Sequence, residues 1–252
     1  MALHGLFVTG TDTGVGKTFI TAAIAKHLRG NSHRPGGGNQ PPPLRVGAYK
    51  PVVSGAEMTA AGPVWSDVET LWSATGPYPR ERIAPQRFLA PLAPPVAAHH
   101  EGRQVDEKLL RRGIDWWLGR VHVLLVEGAG GLLSPVSDSE SNAELAQDLG
   151  FPLLIVARAG LGTINHTLLT LEAAERRNLP VAGVILNQTR PDDGTDLSVA
   201  GNAAELAART SVPILGVFPF STPEGLLREP EFNKIHWQDL IGLSAHPPAG
   251  DT

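Results

Sequence analysis

Residues 5–18, GLFVTGTDTGVGKT, join a short apolar run to a glycine-rich loop that ends in Gly16-Lys17-Thr18. The apolar run predicts a buried strand, and the spacing of apolar residues over 17–28 predicts an amphipathic helix. Between a strand and a helix, backbone N–H groups of the loop point inward, and the helix amino terminus carries about half a positive charge. The stretch therefore predicts a phosphate-binding loop, with a tight structural turn as the alternative.

The glycine spacing of this loop departs by one residue from the common pattern of Gly, four residues and Gly-Lys-Ser/Thr. Counting back from Gly16 puts Thr11 at the first position, and Gly10 lies one place earlier. Lys17 is the candidate for contact with the β- and γ-phosphates, and the Thr18 hydroxyl is the candidate ligand of Mg²⁺. The strand and helix on either side favour a nucleotide site despite the shifted glycine.

Composition and charge exclude several classes of protein. The 252 residues contain no cysteine, which excludes disulfides, thiolate catalysis and cysteine-ligated metals. The net charge is −4 and no basic cluster occurs, so we expect no nucleic-acid partner. No apolar run approaches the roughly 20 residues that cross a bilayer, and no secretory leader is visible. We therefore expect a soluble, cytoplasmic protein without a membrane partner.

Apolar, β-branched runs alternate with helical patterns along the chain, which indicates a mostly parallel sheet covered on both faces. We predict a doubly wound α/β fold, like that of P-loop NTPases, in a single domain over residues 1–252. The helical patterns cover residues 17–28 and 163–177, residues 30–43 form a flexible Gly/Pro-rich loop, and residues 246–252 form a frayed tail. The predicted strands are 5–8, 45–49, 121–126, 153–157, 181–186 and 214–217.

Candidate ligands follow two of these strands. Residues 121–131, VHVLLVEGAGG, describe a buried strand that presents Glu127 to the crevice where ligands of α/β sheets bind. Glu127 is a candidate Mg²⁺ ligand beside Thr18, the alternative being a solvated carboxylate at a strand end. Gly128, Gly130 and Gly131 would let a substrate approach the backbone.

Lys50 ends the second predicted strand, in residues 49–55, YKPVVSG. It could face the same crevice as Lys17, and two cations there would stabilise a phosphoryl group in transfer. Composition alone favours a surface lysine. Asp67 is either a helix cap or a further Mg²⁺ ligand.

Residues 158–170, RAGLGTINHTLLT, place Gly160 and Gly162 just before a helix that begins near Thr163. This helix terminus would attract an anion, or the glycines serve only a tight connection between strand and helix. The residues by themselves leave both interpretations open.

Five separated blocks, taken in order, resemble the dethiobiotin synthetase family, the ATP-dependent carboxylases of biotin biosynthesis. The resemblance extends from Leu6 to about Pro219, and the family loop reads Gly-Thr-Asp-Thr-x-Val-Gly-Lys-Thr, which accounts for the shifted glycine. The blocks are FVTGTDTGVGKT, GAYKPVVSG, LLVEGAGG, LGTINHTLLT and GVILNQ.

The resemblance implies a homodimer that converts 7,8-diaminononanoate, CO₂ and ATP, with Mg²⁺, to dethiobiotin, ADP and phosphate. In the family one amine captures CO₂ as a carbamate, which attacks the γ-phosphate to form a carbamic-phosphoric mixed anhydride. The neighbouring amine then closes the cyclic urea and expels phosphate. No covalent enzyme intermediate is required.

The resemblance also implies roles for individual residues. Lys17, Lys50 and Thr13 would be catalytic, and Thr18, Asp67 and Glu127 would hold Mg²⁺. The nucleotide would contact Asp12, Thr13, Gly14, Val15, Gly16, Lys17, Thr18, Phe19, Asp67, Glu127, Gly128, Ala129, Gly130, Asn187, Gln188 and Pro219. The substrate would contact Ser54, Gly128, Gly130 and Gly131, with its carboxylate at Leu161, Gly162 and Asn165 of the second subunit.

Two positions depart from the family pattern. Gly14 stands where several members carry Glu, so any contact of that carboxylate with the nucleotide is missing. Gln188 follows Asn187 where the family often reads Asn-Asp, which leaves base selectivity open. The long 30–43 segment is expected to lie away from the crevice, without effect on catalysis.

Other functions remain alternatives. A regulatory P-loop ATPase of the partitioning type carries a second lysine early in the loop, where this chain has Asp12. Another ATP-dependent ligase of the superfamily, such as a cobyrinate amidating enzyme, would need a glutaminase domain with a cysteine nucleophile. A nucleotide-binding scaffold without activity would require Lys50 and Glu127 to be incidental.

Overall fold

The computed structural model describes residues 3–30 and 44–243. Within them the chain forms strands β1 to β10, helices α1 to α11 and a 3₁₀ helix over Gly113–Trp117. The strands are β1 His4–Gly10, β2 Val46–Tyr49, β3 Val52–Ser54, β4 Glu57–Thr59, β5 Gly62–Val64, β6 Gln86–Phe88, β7 Val123–Gly131, β8 Leu153–Arg158, β9 Val181–Asn187 and β10 Ile214–Phe218. The helices are α1 Lys17–Gly30, α2 Ser66–Thr75, α3 Arg80–Ile83, α4 Pro94–His100, α5 Glu107–Arg112, α6 Asn142–Leu149, α7 Thr163–Glu175, α8 Val199–Ala207, α9 Pro223–Leu226, α10 Pro230–Lys234 and α11 Trp237–Leu240.

The main sheet has six strands in the order β10-β9-β8-β1-β7-β2, and every neighbouring pair is parallel. These are the six strands that the apolar runs predict, so the predicted fold class is confirmed. Two small sheets, β3 with β6 and β4 with β5, are additions that the sequence did not predict. Their strands have three residues each, too few for a recognisable alternation.

Both faces of the main sheet are covered by helices. Phe7 of β1 packs in the core beneath α4 to α7, whereas Leu6 and Val8 pack in the core beneath α1 and α9 to α11. Successive side chains of a strand point to opposite faces, so near-continuous apolar strands serve two cores. Both layers leave the carboxyl ends of β1, β2 and β7 open to a shared crevice.

Some predicted boundaries are wrong by a few residues. Helix α1 continues to Gly30, which the sequence assigned to a loop, and α7 ends at Glu175 rather than at residue 177. Glycine is unfavourable in the interior of a helix. It is tolerated at the last helical position, where a backbone carbonyl can still accept a hydrogen bond. The remaining loop prediction, residues 31–43, and the predicted tail, residues 246–252, lie outside the described residues.

No helix in the described part of the chain combines the length and apolar character that crossing a bilayer requires. The longest helix, α1, has 14 residues and contains charged side chains at both ends.

Candidate nucleotide and metal site

The glycine-rich loop connects β1 to α1 over residues 11–16, and we call residues 10–18 the P-loop. Gly14 and Gly16 have φ of +72° and +97°, which favour glycine. A Cβ on Gly16 would collide with the Asn187 side chain, whereas a Cβ on Gly14 would meet nothing within 4 Å in the described structure. Gly16 is therefore required by packing, and Gly14 by backbone conformation alone.

Lys17, the first residue of α1, is buried with 7% of its surface exposed. Its Nζ donates to the backbone carbonyl of Asp12 at 2.9 Å, so the side chain links the end of the P-loop to its beginning. Burial and, second to it, the charge of Lys50 together lower the pKa of Lys17 to about 8, against the opposing carboxylates Glu127 and Asp67. Lys17 thus holds its proton less firmly than a surface lysine.

Lys50 follows β2 directly and is only 4% exposed. Its Nζ lies 2.5 Å from Glu127 Oε1 and 2.9 Å from Asp67 Oδ2. Burial by itself lowers the pKa of Lys50, but the charges of Glu127 and Asp67 outweigh it and raise the pKa above its ordinary value. The interpretation as a surface lysine is wrong, because composition does not reveal that β2 ends inside the crevice.

Glu127 and Asp67 also depart from their simpler interpretations. Glu127 is fully buried, so it is no solvated carboxylate. Asp67 lies in the first turn of α2, whose cap position is Trp65, and its Oδ1 accepts from the Thr18 hydroxyl at 2.9 Å. Burial would raise the pKa of Asp67, but Lys50 lowers it below the ordinary value. The hypothesis that Asp67 caps a helix is therefore wrong.

Thr18, Asp67 and Glu127 form a set of oxygens that suits Mg²⁺. Thr18 Oγ1 lies 2.9 Å from Asp67 Oδ1 and 2.7 Å from Glu127 Oε1, although its single proton can serve only one of them. Glu127 Oε2 is buried without a hydrogen-bond partner among the described residues. Two carboxylates and a hydroxyl, completed by water and phosphate oxygens, match the way Mg²⁺ usually binds.

These side chains open into a cleft of about 610 Å³. The opposite wall includes Ser54, whose Oγ donates to the Leu92 carbonyl at 2.5 Å. The predicted residues that line the cleft are Thr13, Gly14, Gly16, Lys17, Thr18, Phe19, Lys50, Ser54, Asp67, Glu127, Ala129 and Gly130. The lining residues without a predicted role are Val53, Pro91, Leu92, Ala93, Pro94, Ser134 and Pro135.

The predicted base-binding residues do not line the cleft but lie behind the P-loop, where β9 and β10 end. Asn187 Nδ2 donates to the Val15 carbonyl at 2.9 Å, and its Oδ1 is buried without a partner in the described residues. Gln188 N donates to the Phe218 carbonyl at 2.9 Å, which brings the start of Pro219 beside Gln188. Half of the Asn187 amide is thus committed to the P-loop, and base contact by these residues stays a prediction.

The predicted carboxylate-binding turn before α7 also lies outside the main cleft. Leu161 is 86% exposed, and Gly162 caps α7 with φ of +92°. The Leu161 N–H donates to Asp196 Oδ2 at 3.0 Å, so the turn already binds a carboxylate of its own chain. Asn165, in the first turn of α7, is exposed. The part of the prediction that places these residues in a partner's site stays untested.

A groove of about 440 Å³ runs beside the cleft and shares Ser134 and Pro135 with it. Leu133 and Leu169, on its rim, are 54% and 56% exposed. An exposed apolar rim of this kind is typical of interaction surfaces.

Two residues that sequence reasoning missed contact the segment after Glu127. Ser134 Oγ accepts from Gly131 N at 2.8 Å, and Asn142 hydrogen bonds to Ala129 and Gly131. The pattern Ser-x-x-Glu at Ser141 is a capping box that could have located the start of α6. No sequence pattern indicates that the first side chain of this helix reaches back to the glycines.

The fold and the chain itself resemble known proteins. Solved structures with a similar fold include a ParA family ATPase from Chlorobium tepidum TLS, with a TM-score of 0.52 and 16% identity, covering 95% of both chains. Another is the septum site-determining protein MinD from Pyrococcus horikoshii OT3, complexed with Mg-ADP, with a TM-score of 0.51 and 16% identity, covering 90% of this chain and 86% of MinD. At these identities the likeness concerns the fold alone.

Sequence relatives are more specific. A family model described as an AAA domain matches residues 4–223. The ATP-dependent dethiobiotin synthetase BioD of Anaeromyxobacter dehalogenans (strain 2CP-C) is 46% identical over 219 residues, covering 86% of this chain and 91% of the relative. The enzyme of the same name from Bacillus subtilis (strain 168) is 38% identical over 223 residues, covering 86% and 87%. With such identity over most of both lengths, the chain belongs to the ATP-dependent dethiobiotin synthetase family.

Proposed function

We propose that this chain carboxylates 7,8-diaminononanoate with CO₂ and closes it to dethiobiotin, at the cost of ATP hydrolysis to ADP and phosphate in the presence of Mg²⁺. One observation carries the proposal beyond family membership. Lys50, from the block of residues 47–55, is buried against Glu127 and Asp67 in the same cleft as Lys17. A surface lysine without a role in the reaction would not be expected to lie buried in the nucleotide site.

The proposed reaction proceeds in three bond-forming steps. One substrate amine attacks CO₂, forms a C–N bond and loses a proton, which leaves a carbamate. A carbamate oxygen attacks the γ-phosphorus of ATP, the bond to the bridging oxygen breaks, and ADP leaves. The neighbouring amine attacks the carbamate carbon and loses a proton, the bond to the phosphate oxygen breaks, and phosphate leaves as the cyclic urea forms.

Lys17 and Lys50 supply positive charge where phosphoryl transfer concentrates negative charge. Glu127 and Asp67 keep Lys50 protonated, because their charges hold its pKa above the ordinary value. Thr13 lines the cleft wall, and its side chain would contact the carbamate. Buried cations of this kind act strongly, since the cleft floor excludes much of the solvent that would screen them.

Thr18, Asp67 and Glu127 would hold Mg²⁺. An ion held there would supply positive charge to stabilise the phosphate oxygens during phosphoryl transfer. The support in this chain is the buried, unpartnered Oε2 of Glu127 and the single Thr18 hydroxyl shared between two carboxylates.

The substrate carboxylate would bind across a homodimer, at Leu161, Gly162 and Asn165 of the second subunit. Supporting features are the exposed turn, its N–H already bound to a carboxylate, and the apolar rim formed by Leu133 and Leu169. A cytoplasmic location completes the proposal, and the absence of cysteine from the sequence agrees with it.

The direct test is an assay of the purified chain with diaminononanoate, ATP, Mg²⁺ and labelled bicarbonate. We expect acid-stable label that depends on the diamine, with one ADP formed for each product. ATP hydrolysis without diamine-dependent incorporation of label would contradict the proposal and favour an ATPase switch.

Subunit complementation tests the shared site. Lys50→Gln removes the cleft lysine, and Gly162→Val distorts the turn, because φ of +92° disfavours a branched side chain. In a mixed dimer, one site would combine an intact Lys50 with the intact turn of the other subunit. At a diamine concentration too low to saturate the turn variant, random mixing of the two impaired variants should bring activity up to about a quarter of the wild-type value. If the turn serves its own subunit, no activity will return.

A further inference from the structure

Strand β7 leaves the regular sheet ladder immediately after Glu127. Val8 of β1 pairs with Glu127, and Gly10 pairs with Gly131, so one residue of β1 faces three residues of β7. Bulges of this kind redirect the chain and are common beside functional sites. The bulged residues are 128–130, and the second and third of them line the cleft.

A bulge needs other hydrogen-bond partners, because the neighbouring strand no longer pairs with its backbone. Asn142, the first residue of α6, is fully buried and supplies them. Its Oδ1 accepts from Ala129 N at 3.1 Å, and its Nδ2 donates to Ala129 O at 2.7 Å and to Gly131 O at 2.8 Å. A single amide thus satisfies both polar groups of Ala129 and the carbonyl of Gly131.

The surrounding packing fits this one side chain. A Cβ on Gly128 would lie 2.5 Å from Asn142 Oδ1, so the glycine leaves the room that the amide occupies. The backbone N–H of Asn142 donates to Ser134 O at 3.1 Å, and Ser134 Oγ accepts from Gly131 N at 2.8 Å. Residues 128–134 are therefore held from two sides by α6 and by their own turn.

The bulge faces the P-loop across the cleft. A Cβ on Gly130 would lie 3.5 Å from Thr13 Oγ1, so the two walls are in close approach. In the proposed function the nucleotide phosphates would bind the N–H groups and Lys17 on the P-loop wall, as anions do at helix amino termini. In the proposed reaction the diamine would lie between this wall and the γ-phosphate, beside Ala129 and Gly130, which line the cleft.

We propose that Asn142 is a positioning residue that sets the distance between residues 129–130 and the P-loop, and so controls the binding of the diamine rather than of ATP. The inference rests on the proposed function. Asp at this position has the same shape but no Nδ2 donors, and the oxygen that replaces Nδ2 would face the carbonyls of Ala129 and Gly131. Asn142→Asp should therefore displace the bulge while it leaves the P-loop unchanged.

The test compares Michaelis constants for the two substrates in the labelled-bicarbonate assay. Asn142→Asp should raise the KM for diaminononanoate at least tenfold and leave the KM for ATP within about threefold of wild type. Asn233→Asp is the matched control, since Asn233 Nδ2 donates to the carbonyls of Leu227 and Glu229 away from the cleft. The control should change neither constant.

Gly128→Ala provides a second route to the same displacement, because its added Cβ presses on Asn142 Oδ1. If Asn142→Asp does not fold, Gly128→Ala should show the same selective rise in the KM for the diamine. Equal changes in both constants, or a diamine KM within threefold of wild type, overturn the inference. An inactive wild-type chain would instead refute the proposed function.

Discussion

The P-loop end of the cleft and the turn before α7 are both anion-attracting helix termini, but they are built differently. At the P-loop end, Lys17, Lys50 and Glu127 are buried, and a short ion pair joins Lys50 to Glu127. At the α7 turn, Leu161 is exposed and its N–H has one exchangeable partner, Asp196. Buried charge is preorganised for chemistry, whereas an exposed turn contributes modest affinity. Substitutions at the two places should therefore have effects of different magnitude, mainly on turnover at the P-loop end and mainly on substrate binding at the α7 turn.

Glu127→Gln should have the largest effect. It removes a candidate Mg²⁺ ligand and the partner at 2.5 Å from Lys50, both in a buried setting. Turnover should fall on the order of 10³-fold, and the free energy of unfolding should fall by about 3 kcal/mol. Measurements are kcat against Mg²⁺ concentration and denaturation in urea. Glu69→Gln, which breaks the surface pair with Arg80, is the control. Unchanged Mg²⁺ dependence would remove Glu127 from the metal site.

Lys50→Gln should lower turnover on the order of 10²-fold or more while the protein still folds, because it removes charge that stabilises the transition state. The control is Lys26→Gln, since Lys26 pairs with Glu224 on the surface of α1. Steady-state kcat and the circular dichroism spectrum measure the two effects. Near-normal turnover in the Lys50 variant would mean that its burial is structural only.

The pH dependence of kcat/KM for ATP should follow the titration of Lys17. Its pKa of about 8 lies below the 10.5 of an ordinary lysine, so the free enzyme loses this charge as pH rises above about 8. The kcat/KM for ATP should then fall about tenfold for each further pH unit. In the same window the unfolded chain binds more protons than the folded one, so stability should rise between pH 8 and pH 10.5.

Lys17→Arg separates this group from others, since a guanidinium stays charged over the whole range. The fall in kcat/KM above pH 8 should disappear in the variant, whatever its absolute activity. A fall at the same pH in both proteins would assign it to a different group.

The six main strands could be predicted because each contains a mostly apolar run between helical or loop segments, and parallel strands bring their carboxyl ends to one edge. That rule alone brings Lys50 and Glu127 to the P-loop from 77 residues apart in sequence. Asn142 could not be found, because its contact depends on a bulge whose two extra residues carry no periodic signal. The orientation of Asn187 toward Val15 likewise follows from how β9 meets the P-loop.

Asp196→Asn should have the smallest effect, and it should improve substrate binding where the other substitutions impair the enzyme. Asp196 Oδ2 accepts from Leu161 N, where the proposal places the substrate carboxylate, so the two carboxylates would compete. Removing the charge should lower the KM for diaminononanoate about threefold, the size expected for an exposed charge at a helix terminus. Asp192→Asn, whose carboxylate accepts from Gly194 N in the same loop, controls for general electrostatics.

The sign of that change separates two roles for Asp196. A competitor predicts a lower KM, and the gain should vanish with a diamine that lacks the carboxylate. A higher KM would mean that Asp196 instead holds Leu161 in the conformation that binds substrate. In that case the exposed turn, like the buried P-loop end, has its binding conformation before the ligand binds. The two anion sites would then differ only in the degree of preorganisation.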